Sequence, residues 1–353
     1  MNKFNSLLFA AFIAISFAAC KKDSDEPVIV VPPSDGSTLT LNGLIGAEAG
    51  SAAGNSVYVD FSADKQTAVD RDSWDLGFYA GADFKVILNA SNGSSAIVVN
   101  KSDLNSVTAA DFDPNALKVG QGLGTFSLID DPREANIINK TAIAAISATD
   151  AENKVYIINR KGGAATVLAN DELYKIRVLR KGSGYTLQYA KVTETTFKTL
   201  DITKNADANF QFASLVKGNT VSVEPAKASW DVVWGYSMYY TATFPYAFSD
   251  LVFINSLAGV SAAAVSTTVK AYAAFAESDL ATVTFSSSRD VIGSTWRTSP
   301  GQNGTGGGVK TDIFYLVKDG SGNVYKLKFN SFISNDGGTR GKPVIEYKLI
   351  KKG

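Results

Sequence analysis

Histidine is missing from all 353 residues, cysteine occurs once and methionine twice. Without histidine there is no Ser-His-Asp or Cys-His arrangement and no imidazole metal site, so no enzyme activity is expected. Acid pairs such as Asp130-Asp131 remain, but nothing sets them apart from solvated surface carboxylates. A single cysteine forms no intrachain disulfide, which leaves burial to hold the core. Neither charge is in excess: 34 basic and 34 acidic side chains leave no footprint for nucleic acid. The apolar run from Leu7 to Phe17 is too short for a retained membrane-spanning helix.

That run instead reads as the middle of a secretory leader covering residues 1–19, with Lys3 before it and the small pair Ala18-Ala19 after it. The leader ends at the lone Cys20 and resembles a bacterial lipobox, which makes Cys20 the expected lipid-attachment site. Lys21-Lys22-Asp23-Ser24-Asp25-Glu26 is similar to the acidic signal that sends Bacteroidetes lipoproteins to the cell surface, so the expected location is the outer membrane, anchored by lipid and facing outward. Residues 20–55, rich in Pro, Gly and Ser, are read as the lipidated N-terminus and a flexible spacer.

What the remainder holds is one unit written twice. Ser73-Trp74-Asp75-Leu76 returns as Ser229-Trp230-Asp231-Val232, and an Asn-x-x-x-Gly-x-Ser-Ala element at Asn89 returns at Asn255. A Tyr-Lys strand (Tyr174-Lys175, Tyr325-Lys326) and a closing strand ending at Tyr189 or Tyr347 complete the series. Four landmarks in one order indicate duplication. Alternating apolar positions, β-branched and aromatic residues and frequent Gly turns predict an all-β, mainly antiparallel fold with few short helices. Two tandem β domains are expected, at 56–200 and 208–353, joined by the polar stretch Asp201 to Asn209. Ile137 to Ile146 has a period near that of a helix, and Leu257 to Asp279 is read as strand then loop. Each Trp-Asp pair is read as structural.

The copies differ in the spacing of their first two landmarks. Trp74 and Asn89 lie 15 positions apart, Trp230 and Asn255 25, so the second copy carries ten extra residues. They fall in a stretch, 235–248, that holds Tyr236, Met238, Tyr239, Tyr240, Phe244, Tyr246 and Phe248. Loops on a rigid scaffold carry binding groups and rings offer flat apolar contact, so Tyr236, Met238, Tyr239, Tyr240, Phe244 and Tyr246 are the candidate ligand-binding residues. The Gly-rich run from Gly301 to Thr311 is a near miss for a phosphate-binding loop and is read as a turn.

Phe210-Gln-Phe212, the Lys217-Gly218 turn, Trp230-Asp231-Val232, Phe253-Ile254-Asn255 and Val324-Tyr325-Lys326-Leu327 together resemble the HmuY-like haem-binding lipoproteins of Bacteroidetes. The match is fuller over residues about 208–350 than over about 55–195. The resemblance implies a mostly β fold holding haem in an apolar cleft beside a TonB-dependent receptor. It departs in the ligands: the best-known member holds iron with two histidines, and this chain has none. Met238, Tyr239 and Tyr240 are then the side chains of the stretch able to meet haem iron from one side, and no other metal is expected. The expected partner is haem, porphyrin or a related small apolar ligand. The alternative is an interaction or glycan-binding module that uses stretch 235–248 without haem.

Overall fold

The computed structural model describes residues 31–301 and 306–353. The leader, Cys20 and the acidic segment after it lie outside the described residues. In chain order the strands are β1 (Gly36–Thr40), β2 (Asn55–Asp60), β3 (Lys65–Asp70), β4 (Leu76–Tyr79), β5 (Val86–Leu88), β6 (Ser95–Val99) and β7 (Val155–Asn159). There follow β8 (Tyr174–Lys181), β9 (Gly184–Lys191), β10 (Lys198–Ile202), β11 (Phe210–Ser214), β12 (Asn219–Val221), β13 (Val232–Thr241) and β14 (Phe244–Ile254). The last are β15 (Ser261–Ser266), β16 (Arg297–Thr298), β17 (Gly308–Val309), β18 (Ile313–Lys318), β19 (Val324–Ser331) and β20 (Val344–Lys351). All named pairings are antiparallel, and the helices among the described residues are short 3-10 turns. The all-β expectation therefore holds.

The duplication is visible in the sheets. One module has a five-stranded sheet, β10-β9-β8-β7-β6, and a four-stranded sheet, β12-β11-β4-β5. The other repeats both as β1-β20-β19-β18-β15 and β14-β13-β2-β3. Registers match residue for residue: Ser95 pairs Asn159 where Ser261 pairs Lys318, and Ile176 pairs Tyr189 where Leu327 pairs Tyr347. The landmarks make the same bonds in each copy. Asn89 Nδ2 donates to the Arg71 and Trp74 carbonyls, each at 2.7 Å, and Asn255 Nδ2 to those of Lys227 (2.8 Å) and Trp230 (3.0 Å). Gly93 and Gly259 follow in left-handed conformation (φ 66° and 84°), which a side chain would strain. Lys175 and Lys326 are buried, their ammonium groups ringed by carbonyls of Val107 and Glu194 in one copy and of Tyr272 and Phe275 in the other.

The tandem-domain expectation, with units at 56–200 and 208–353, is not confirmed. Residues from Pro33 onward form one compact unit. The hairpin β2-β3, given from sequence to the first repeat, pairs through Val57–Val59 with β13 of the second. The hairpin β11-β12, given to the second, pairs with β4 of the first. Strand β1 edges β20 as β10 edges β9. The first module is thus continuous from Trp74 to about Val221, while the second is closed by the N-terminal residues 36–70. Val57, Val59 and Phe61 accordingly lie in one core with Trp234, Tyr325 and Tyr347, and Leu76, Phe78 and Tyr185 lie in the other with Ala213 and Leu215.

Two smaller expectations also change. The flexible spacer does not extend to residue 55: β1 is fully paired and Leu41 is 2% exposed. The segment Ile137 to Ile146 forms no helix, because buried Asp130 pins it, accepting the Ala142 amide while also holding the Leu88 amide. Leu257 to Asp279 does run as strand β15 followed by loop and single turns.

Candidate functional site

The ten extra residues do not form a loop. They lengthen β13 and β14 into a hairpin that turns through Ala242-Thr243, with Ala242 at φ 35° and a bulge between Gly235 and Ser237. Strand alternation then sorts the candidate residues onto two faces. On one, Tyr239 pairs across the hairpin with Tyr246 and meets Phe248 at 5.6 Å between ring centres, and Tyr246 meets Phe248 at 5.4 Å; Tyr240, on the opposite side by alternation, still brings its ring to 4.4 Å from that of Tyr239. These four rings are half-buried and form a ladder. On the other face, Met238 is 2% exposed among Val119, Ile129 and Ala247. A methyl group added to Gly163 would sit 3.2 Å from its sulfur, so the thioether lies against backbone. Tyr236 shares that face under the Arg71 guanidinium at 4.5 Å. Phe244 stands at the tip, 38% exposed.

The Tyr239 hydroxyl donates to Asp290 Oδ2 at 2.7 Å, and Ser288 Oγ holds the other oxygen at 2.6 Å. Burial and then Asp290 itself push the Tyr239 pKa well up, since phenolate beside carboxylate in a low-dielectric site is unfavourable.

Below the ladder the modules meet across the outer faces of their four-stranded sheets, leaving a cavity of about 120 Å³. Its walls are equivalent residues of the two copies: Trp74 and Trp230, Phe212 and Tyr58, Ile87 and Phe253. Trp74 lies edge-to-face on Phe212 at 4.8 Å and Trp230 on Tyr58 at 5.1 Å. The Trp-Asp strands therefore fix the fold through Asp and line the module interface through Trp. Of the polar groups, Asn255 repeats Asn89, whereas Arg289 and Glu224 belong to no landmark. Arg289 lies over the Phe253 ring at 4.1 Å; Asn209 Nδ2 donates to Asn255 Oδ1 at 2.9 Å and, at 3.4 Å, to Glu224 Oε2. Burial raises the Glu224 pKa to about 8. Phe253 also lies 6.1 Å from Tyr239, so cavity wall and ladder are one aromatic strip. Sequence reasoning missed Arg289, Glu224 and the cavity role of both tryptophans. Recurrence of Trp74 as Trp230 was the available signal; Arg289 and Glu224 stand outside every landmark.

Among the described residues no group of three or more His, Cys, Asp or Glu side chains is arranged around a metal position. Met238 is packed in a core and Tyr239 is committed to Asp290, which leaves Tyr240 as the hairpin candidate without a strong competing contact. Paired axial ligation does not fit. A cavity of about 120 Å³ is also well below the 300 Å³ or so that organic ligands of drug size occupy. Of the residues named from sequence, the half-buried ladder rings are those left with surface open to a flat ligand. Neither a curated protein nor a solved structure matches the chain. A family model described as HmuY protein matches residues 52–347, in one span running from β2 of the second module through the whole of the first and on to β20, and the chain therefore belongs to the HmuY family.

Proposed function

We propose that this protein is a non-enzymatic, surface-exposed outer-membrane lipoprotein, anchored through Cys20, that captures a porphyrin-class ligand and passes it to a TonB-dependent receptor. Family membership supports the ligand class. The observation that carries the site is the half-exposed ladder of Tyr239, Tyr240, Tyr246 and Phe248 on β13 and β14, in a hairpin that is longer in the second module than in the first. Covering ring faces at roughly 25 cal/mol per Å² gives useful affinity without an iron bond. Iron is then dispensable: haemin and metal-free protoporphyrin should bind with Kd values within about tenfold, a gap of ~1.4 kcal/mol.

The experiment is a Soret-band titration of both ligands into wild type, Tyr239→Ala/Tyr240→Ala and Met238→Ala. Saturable binding of both, weakened by the tyrosine changes and little altered by Met238→Ala, is the expected result. If neither ligand saturates, the same rings on a protruding hairpin favour the interaction or glycan-binding reading instead.

A further inference from the structure

The module interface carries a second site, independent of the porphyrin reading. The cavity arises from a break in the internal symmetry. By register, Phe210 of β11 corresponds to Ser56 of β2, so one copy fills the interface with a ring and the other leaves a hydroxymethyl group. A void lined only by the surrounding rings would be dry and would take apolar molecules without regard to charge. This one has a cation in its wall. Among the described residues the Arg289 guanidinium donates no hydrogen bond; its neighbours are the Phe253 face and, at longer range, Asp290, Asp130 and Glu224. The guanidinium is half-buried against that ring with its donors uncommitted to the protein, and burial pulls its pKa down. Among the described residues Glu224, on the same wall, makes no ion pair with Arg289, and burial pushes its pKa up to about 8, toward the protonated form that donates instead of balancing the cation.

We propose that the inter-module cavity binds a small carboxylate with a flat apolar body of about one ring, its carboxylate on Arg289 and its ring among Trp74, Trp230 and Phe212. Size, charge and shape each support this. An apolar cavity of about 150 Å³ takes benzene, and this one is about 120 Å³. Guanidinium binds carboxylate through two parallel hydrogen bonds, which fixes the direction in which the acid enters. The paired Asn209 and Asn255 amides hold each other and so do not compete for the ligand.

Benzoate is the probe, with benzamide as its neutral match, titrated into the full chain and read by tryptophan fluorescence and thermal shift. Benzoate should saturate at millimolar concentration or below and bind at least tenfold more tightly than benzamide. Arg289→Met should remove that preference while benzamide still binds. Ser56→Phe, which restores the ring present in the other copy, should block both probes and leave the porphyrin Soret titration unchanged. The proposal is overturned if benzoate does not saturate, if the two probes bind equally to wild type, or if the preference survives Arg289→Met. Should that variant not fold, the wild-type ratio together with Ser56→Phe decides. Porphyrin failing while benzoate binds would sink the functional reading alone, and the converse would sink this one alone.

Discussion

In the first module Asp75 receives the Leu215 amide on one oxygen and the Arg160 guanidinium on the other, with Arg160 also reaching Asp72 at 3.5 Å. In the second, Asp231 receives the Phe61 amide at 2.7 Å, and the residue at the Arg160 position, one past the strand pair Ser261–Lys318, is Asp319. Asp319 is occupied in its own turn, accepting the Ser321 and Asn323 amides. Both Trp-Asp aspartates are buried and both tie a hairpin strand from the other sequence repeat into their sheet. Burial raises both pKa values, yet Arg160 draws Asp75 back, while Asp231, beside Asp60 and Asp319, is carried to about 7. The duplicated feature is thus the amide-accepting carboxylate, and the cation beside it is present in one copy alone. A buried acid that keeps its proton makes the same backbone bond without a cation.

The largest effect should come from breaking the strand exchange itself. A chain starting near residue 72 loses β1, β2 and β3, and with them Val57, Val59 and Phe61, all fully buried in the second module, along with the Asp231–Phe61 bond. The second module should then show no cooperative unfolding, whereas a chain starting near residue 33 should melt like the full one. A piece covering 208–353 should fail for the same reason, carrying β11 without β4. If that piece unfolds cooperatively by circular dichroism, the exchanged hairpins are decoration and the modules are sequence-local after all.

Next in size is the ion pair. Arg160→Met leaves Asp75, 1% exposed, without its cation and should cost about 3 kcal/mol in urea unfolding at neutral pH, as breaking a buried pair does. It should also convert the first corner into a copy of the second, with the Asp75 pKa climbing. A loss within about 0.5 kcal/mol, the size expected of an exposed pair, would show that Arg160 is not needed to balance Asp75.

The sequence made the fold class and all four landmarks legible, because Trp-Asp, Asn-x-x-x-Gly, Tyr-Lys and the closing Tyr sit at matching registers in both copies. The Asn landmark is fixed by a bond within its own hairpin, Asn89 to the Trp74 carbonyl. The pairing of the copies was not legible. Phe210-Gln-Phe212 and Val57-Tyr-Val look like opening strands of their own repeats, and nothing in periodicity states which β sheet a strand joins when either offers the same edge. One clue was present: Thr38-Leu39-Thr40-Leu41 and Thr199-Leu200-Asp201-Ile202 share a pattern, and both end in a residue 2% exposed, which would have moved the repeat boundary ahead of β10 and β1 into the folded part. The hairpin rings were found by counting residues, but a count does not tell a loop from a longer hairpin, and the alternation that buries Met238 while half-exposing Tyr239 follows from that distinction. Arg289 and Glu224 come from loops outside the repeat and carried no pattern to read.

The smallest predicted effect follows from Asp231 and has a sign that distinguishes it from ordinary carboxylates. A folded-state pKa of about 7 lies above the value near 4 of an unfolded Asp, so the folded chain holds a proton that the unfolded chain has released. Stability from this group is complete below about pH 4 and falls as pH rises through about 7, at ~1.4 kcal/mol per pH unit at most. Asp130, raised to about 7, and Glu224, raised to about 8, add to the same slope, whereas Asp131, held near 2 by Arg133 and Lys140 against the effect of burial, acts only in acid. Asp231→Asn keeps an oxygen for the Phe61 amide and removes one titrating group. In urea unfolding followed between about pH 5 and about pH 8, its stability should match wild type at the acid end, exceed it by roughly 2 to 3 kcal/mol at the alkaline end, and vary less steeply between. Asp75→Asn should instead lose stability at every pH, because it strands Arg160. Parallel pH curves for wild type and Asp231→Asn would mean that Asp231 is ionised in the folded protein, and the contrast between the two corners would then have to be sought in packing.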